Sequence, residues 1–562
     1  MLRLGFAEIN EPDAVRLNMA PSACGKKPSG DCRSRHWPFP FQVFTHGTQP
    51  MTTAFINQYF ARAWARKQLT PAARASDETF IRRVSLDLAG RIATPAEVLA
   101  FVKDAGADKR QRLIDRLLAS ADYVEHWASL WVSWLLPRTS RADPVRFAPL
   151  PPLYRQQLHD WLTKEQRLAR LNHAQLVQQL LTATGKTDEN GAVHFLLANL
   201  GAALVRPAQE GAFDMVPATL RTLRVFLGLD LYGLHLPAQP KRHPDWQEKH
   251  FWALNVFFRQ VERDGLALRD NAAMNRKGVL FYELPHGVFL PVEAAYFDRR
   301  RTPDDPRLLA LAGGLGSAAL RQQQSQRPRR QLLADFISTD PQFARASVNR
   351  VWGQLFGRGL HEKPAVDDFG SHNELLHPDL LTRLAQDFAA ANFDPQALLR
   401  WIANSDVYQR DSAANASNDA ATLEAYFSRM PVRPLGPEQL TASLLRLIQP
   451  KTSAFAESCS QWFAQRFEGN EWEDVPAADR LPHLLRFLNR KETATALLAD
   501  DCAALTNDTT PEALYLAVLN RRPTADETKA IAAQLAPGKD RRDQARDLLW
   551  ALVNSSEFVL QH

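Results

Sequence analysis

Apolar residues recur along most of this chain at three- and four-residue intervals, the spacing that gathers them on one face of an α-helix. In TTAFINQYFARAWARKQL, which starts at Thr52, the positions Phe55, Tyr59, Ala63 and, less cleanly, Leu69 mark such a face. Leu113, Leu117, Val124, Trp127, Trp131 and Trp134 form a longer stripe, which Ser120-Ala121-Asp122 is expected to break and recap. LNHAQLVQQLLTAT, PATLRTLRVFLGL and the run Phe343, Val348, Val351, Trp352, Leu355, Phe356 repeat the pattern. The tryptophans could stack a ligand, but at helical spacing they read as core.

Helix boundaries are written in as well. Thr94-Pro95-Ala96-Glu97 places a capping hydroxyl, a first-turn proline and a Glu three residues after the cap. Such an arrangement satisfies orphan amides reciprocally and is worth about 1 kcal/mol. Asp340-Pro341, Asp394-Pro395, Pro437-Glu438-Gln439, Thr510-Pro511-Glu512 and Thr524 to Glu527 are further helix starts. Gly357 and Gly359 stand where a helix C-terminus favours glycine.

The stretch 266–325 breaks the helical rhythm. VLFYEL, then Pro285-His286-Gly287, then VFLPVEAAYF reads as strand, turn and strand. Arg299 to Arg301 and RQQQSQRPRR (321–330) follow and read as a solvated linker. The expected fold is mainly α, a multi-helix, two-lobed architecture with a small β-hairpin insertion. Residues 1–50 are either a disordered leader or a mis-called start preceding Met51. A helical domain over 51–265, the hairpin and linker over 266–328 and a second helical domain over 329–562 complete the organisation, with the two halves packed together.

Composition narrows the function classes. At 562 residues, 45 % apolar and 23 % charged, the chain can bury a large core without disulfides. A net charge of +6 over that length does not call for nucleic acid. The four cysteines, Cys24, Cys32, Cys459 and Cys502, form no CxxC, and no CxxCH is present. Zinc ribbons, iron–sulfur clusters and attached c-type haem lose their usual signature. No apolar run is long enough to span a bilayer, and acids interrupt the N-terminal segment where a signal-peptide core would lie. The expectation is a cytoplasmic protein with no transmembrane segment.

Candidate chemistry gathers in one region. Asp367 and Asp368 lie close in sequence to His372 and His377, and carboxylates beside imidazoles could serve as a metal or general-base site. The plainer reading is capping, with His377-Pro378-Asp379 opening a helix. Asn349 and Arg350 stand in NRVWGQLFGRG on an otherwise core-lined helix, either to bind a substrate or to satisfy buried carbonyls. Arg82, Arg83 and Asp87 stand similarly in FIRRVSLDL, where an Arg–Asp pair joining helices is the simplest account. GxSxG, P-loop, GxGxxG and HExxH motifs do not occur.

FIRRVSLDLAGRIATPAEVLAF (80–101) and KRQRLIDRLLASADYVEHWASLWV (109–132) resemble the domain-of-unknown-function family 1549, best known from planctomycetes and related bacteria. RRQLLADFISTDPQFARASVNRVWGQLFGRGL (329–360), VDDFGS, HPDLLTRLAQDFAAANFD and LLRWIANSDVYQRDS resemble its usual partner, family 1553. The resemblance implies a cytochrome-associated, usually exported lineage, many of whose members carry their own CxxCH. Here the matching region, 228–258, reads Tyr232-Gly233-Leu234-His235-Leu236-Pro237 at the haem-motif position, before His243-Pro244 and an aromatic stretch. Thioether attachment needs cysteine sulfur, so covalent haem is chemically excluded there. His235, His243 and His250 match no standard ligand spacing, so neither a bound metal nor any other cofactor is expected. The first functional expectation is a non-catalytic binding or assembly protein with a protein partner. The alternative is an enzyme, hydrolytic or redox, acting on a polymer or glycan near Asp367, Asp368, His372 and His377.

Overall fold

The computed structural model describes residues 50–137, 139–140, 148–149, 152–164, 167–201, 214–232, 234, 246–265, 267–271, 280–284, 288–292, 296, 327–448, 455, 458–459, 462–463, 477–499, 502–505, 509–534 and 540–562. Residues 1–49, most of the Arg/Gln-rich linker, and Gly233, His235 and His243 of the 228–258 stretch lie outside that set.

The described chain is mostly helical. Its first half holds α1 (Pro50–Arg66), α2 (Asp77–Ala89), α3 (Pro95–Lys103), α4 (Lys109–Leu118), α5 (Ala121–Leu135), α6 (Pro152–Thr163), α7 (Arg167–Arg170), α8 (His173–Thr182), α9 (His194–Ala198), α10 (Val216–Leu227) and α11 (Glu248–Asn255). Its second half holds α12 (Arg329–Thr339), α13 (Pro341–Phe356), α14 (Pro378–Ala390), α15 (Pro395–Ala403), α16 (Pro437–Leu447), α17 (Ala477–Leu488), α18 (Lys491–Leu497), α19 (Pro511–Val518), α20 (Ala525–Gln534), α21 (Arg541–Val553) and α22 (Ser556–Val559).

β1 (Thr139–Ser140) and β2 (Ala148–Pro149) form a short antiparallel pair, and the expected hairpin forms as β6 (Leu280–Leu284) antiparallel to β7 (Val288–Val292). β3 (Gly185–Lys186), β5 (Ala267–Asp270) and β4 (Val261–Asp264) make a three-stranded antiparallel sheet that the periodicity did not show, because its strands have only two to four residues. β8 (Arg433–Pro434) and β9 (Leu560–Gln561) pair the chain's last residues with the start of α16's approach.

The boundary signals work as read. Thr94 and Glu97 form the reciprocal capping box of α3. Ser120 splits the tryptophan stripe by accepting from the Tyr123 amide at the start of α5. Asp340 and Asp394 cap α13 and α15 ahead of a proline. Gly357 ends α13 at φ 75°. Gly359 instead packs against the Asn349 side chain, where a Cβ would meet Nδ2 at 2.9 Å.

The face of α1 needs correcting. Ile56, Phe60 and Trp64 are its buried stripe, while Phe55 and Tyr59 only flank it. The true stripe is a clean i, i+4, i+8 series one position over, and it carries the larger ring.

Buried apolar side chains fall in two clusters. The larger runs from Ile56 to Met430, with Leu516 reaching in from downstream. It holds Trp127, Trp131 and Trp134, so these rings are core. The smaller gathers residues from Leu435 to Val559 around Leu86 and Ile92. Helix α2 serves both, with Val84 and Leu88 turned into the first cluster and Leu86 into the second.

Candidate functional site

The densest motifs, FIRRVSLDL and NRVWGQLFGRG, meet other parts of the chain through buried polar groups. Asp87 is fully buried, where the Tyr408 hydroxyl donates to it at 2.6 Å and Arg433 forms an ion pair with it. Arg82 donates to the carbonyls of Val518 and Phe558 at 3.0 and 2.9 Å. Arg83 donates to those of Tyr408 and His562 at 2.6 and 2.7 Å. Asp87 is therefore ion-paired, but to Arg433 of β8, so the pair does not join two helices as expected. Arg82 and Arg83 are carbonyl clamps rather than carboxylate partners. Burial lowers the pKa of both guanidinium groups.

Asn349 and Arg350 sit on α13 facing inward. Asn349 donates from Nδ2 to the Val366 carbonyl and accepts the Leu360 amide, both at 2.8 Å. It thereby pins both sides of the loop after α13, satisfying a buried carbonyl as one of its two readings required. Arg350 donates to Asp367 at 2.5 Å and to the Arg224 carbonyl at 2.9 Å, with its guanidinium 5.2 Å from the Trp134 ring centre. The Asp367 carboxylate, almost fully buried, also pairs with Arg224 of α10 at 3.3 Å.

The region after α10 meets the acidic loop. The Asp230 amide donates to the Asp367 carbonyl at 2.9 Å, and the Phe369 amide donates to the Gly228 carbonyl at 3.0 Å. Leu229 and Asp368 form an isolated antiparallel bridge. Gly228 ends α10 at φ 66°, with Phe369 packed where a Cβ would stand. Two regions that the sequence presents separately, 228–234 and 361–377, are thus adjacent.

Asp368 and His372 form a dyad, with Nε2 2.5 Å from the carboxylate and each side chain about one-fifth exposed (21 % and 23 %). The Asn373 side chain donates to the Asp368 carbonyl at 3.1 Å and holds the turn. His361, invisible to motif reasoning, is buried edge-on to Phe369 at 4.5 Å. Burial, with the charge of Arg345, pulls its pKa down to about 4.

His377 does not belong to this dyad. It occupies the position before α14, as expected, but its ring caps nothing. Nε2 lies 2.7 Å from the Ala425 carbonyl, which can only accept, so Nε2 carries the proton. Nδ1 then accepts from the Tyr59 hydroxyl at 3.1 Å. The four residues of the acidic stretch therefore divide into a buried ion pair, a dyad about one-fifth exposed, and a tie between Tyr59 of α1 and the Ala425 carbonyl.

His250 accepts the Gln247 amide at 3.1 Å at the start of α11. Among the described residues no group of three or more His, Cys, Asp or Glu side chains is placed to hold a metal ion. Two surface grooves, of about 380 Å³ beside Asp543 and Trp550 and about 270 Å³ beside Trp161 and Arg167, contain none of the candidate residues. Just after α10, the Tyr232 amide donates to Asp230 at 3.2 Å. Cys459 and Cys502 are buried in the second cluster.

Arg330 overturns part of the linker reading. It is fully buried, chelates Asp270 with two bonds of 2.8 Å and donates to the Leu181 carbonyl at 2.6 Å. A run of arginines looks solvated in sequence, and only the Asp270 strand beside it shows otherwise.

Among the described residues no helix is long and apolar enough to cross a membrane. No curated protein and no solved structure matches the chain. Residues 55–263 match a family described as a protein of unknown function (DUF1549). Residues 329–461 match a second, also described as a protein of unknown function (DUF1553). The chain thus pairs these two domains of unknown function in one polypeptide.

Proposed function

We propose that the chain is a non-catalytic binding or assembly protein, descended from a cytochrome-associated lineage and carrying no covalent haem. One observation carries this reading. The polar residues of its densest motifs are engaged in bonds that hold the chain to itself: Asp87 with Tyr408 and Arg433, Asn349 with the loop after α13, Asp367 between Arg224 and Arg350, and His377 between Tyr59 and Ala425. A catalytic group needs a face open to substrate, and these have none to spare. Purification from the native organism, with metal analysis, a visible spectrum and identification of co-purifying proteins, tests it. A stable protein partner and a featureless visible spectrum are expected. A reproducible haem absorbance band would sink the idea.

The Asp368–His372 dyad favours a second reading, an enzyme, hydrolytic or redox, acting on a polymer or glycan. A carboxylate bonded to one ring nitrogen orients an imidazole, which is the arrangement of a general base. Screening the purified protein against glycan and polymer substrates, with Asp368→Asn and His372→Gln beside it, decides between the two. Turnover lost in both variants supports the enzyme; no turnover by the wild type supports the assembly protein.

A further inference from the structure

Three buried histidines stand where the first half of the chain meets the second. His173, at the start of α8, is sealed between Trp131 of α5 and Phe388 of α14, with ring centres 5.1 and 5.4 Å away. Neither of its ring nitrogens has a hydrogen-bond partner, and its own amide donates to the Phe393 carbonyl across the seam. His377 is held between Tyr59 of α1 and the Ala425 carbonyl, with Phe60 and Phe427 against its ring. His126 of α5 is packed onto Gly90, so close that a Cβ there would lie 2.4 Å from its Nδ1, and its Nε2 has no partner.

Each imidazole also faces an arginine: Arg350 for His173, Arg358 for His377 and Arg433 for His126. A proton on any of the three would put a second cation in a dry site beside the first. The opposing groups are few. Glu438 of α16 and the Asp87 carbonyl favour a proton on His126, and the Ala425 carbonyl favours one on His377, while among the described residues no acidic group acts on His173.

We infer that these three imidazoles make the junction between the halves a pH-sensitive latch, closed when they are neutral and released when they take up protons. The native state accepts these protons only well below the ordinary 6.5: burial, then the charge of Arg350, holds His173 at about 3, and burial, against the pull of Glu438, holds His126 at about 4. Burial lowers His377 as well. A separated half exposes the same rings to water, where they charge near 6.5. Opening is therefore coupled to proton uptake. The closed state has its full advantage above about pH 6.5 and loses it as pH falls toward the native values. Each imidazole raises the opening equilibrium about tenfold per pH unit in that window. Ordinary carboxylates protonate below it, near pH 4 (about 3.9–4.3), so the window from 6 to 5 belongs to the histidines.

The experiment uses the full chain with a protease site inserted between residues 301 and 326, cleaved after folding. Size-exclusion chromatography is expected to show the two pieces together at pH 7.5 and apart at pH 5. Pieces that separate at pH 7.5, or stay together at pH 5, overturn the latch. The uncleaved wild type gives an independent measure: urea unfolding between pH 6 and 5 should change with a slope of at least two protons. His173→Phe should lower that slope by about one, and His377→Gln should lower it as well, whatever they do to the midpoint. A wild-type slope below one proton, or slopes untouched in both variants, would refute the proposal even if one variant folds poorly.

Discussion

At the residue scale, burial separates groups that look alike in sequence. Asp87 and Asp368 are both carboxylates in dense motifs, yet Asp87 is fully enclosed and Asp368 is partly wet. Removing one partner of a buried ion pair leaves an uncompensated charge and costs about 3–5 kcal/mol, whereas a partly exposed pair is worth about 0–1 kcal/mol. Asp87→Asn is therefore expected to lower stability by about 3–5 kcal/mol. Asp368→Asn should change it by no more than about 1 kcal/mol, both read from urea denaturation. Equal losses would show that the two sites are not distinguished by solvent. Nothing in the sequence separates these acids, because exposure is decided by Tyr408 and Arg433, which are more than three hundred residues from Asp87. The same holds for Arg330, which reads as one more linker arginine until Asp270 is seen beside it.

At the element scale, caps and glycines carry the information that was legible beforehand. The Thr94–Glu97 box is extended by Arg91, whose guanidinium bonds Glu97 at 3.0 Å and Asp122 at 2.7 Å, tying α3 to α5. Despite opposition from burial, the bonds from Arg91 and Thr94 hold the Glu97 carboxyl down at about 2. Its folded value lies below the unfolded one. Its contribution is thus present above about pH 4.5 and is lost as pH falls toward 2. Glu97→Gln should weaken the protein at pH 7, and the gap to wild type should close by pH 2–3 in acid titrations of thermal stability. Gly228 is a second element-scale test. Its left-handed φ costs a non-glycine residue about 1–2 kcal/mol, and Phe369 stands 2.6 Å from the added Cβ. Gly228→Ala should lose at least about 1–2 kcal/mol. It should also speed amide exchange at Phe369, which bonds the Gly228 carbonyl. Undisturbed exchange there would mean that the α10 end and the acidic loop are not coupled.

At the scale of the whole molecule, chain order and packing divide the protein differently. The two family matches leave 264–328 between them. The packed side chains instead divide near 430–435, and α2 belongs to both clusters. A core that borrows Leu86 and Ile92 from the other end of the chain is not complete without them, so unfolding should be one cooperative event at neutral pH. Cys459 and Cys502 report on the second cluster. Their labelling by a thiol reagent, followed peptide by peptide in rising urea, should track loss of tryptophan fluorescence from the first. Labelling that runs ahead would show the smaller cluster opening alone.

The sequence by itself determined most helices, their starts and stops, the hairpin at 280–292, the kinship of the two segments and the absence of any CxxCH. Those features rest on local rules: periodicity, capping chemistry and the presence or absence of sulfur. Which acid is buried, which histidine stays neutral, which arginine finds a carbonyl instead of a carboxylate, and that α2 joins both cores were decided only in three dimensions. Each depends on neighbours brought from hundreds of residues away, and it is the low dielectric they create together that gives a charge or a ring nitrogen its behaviour.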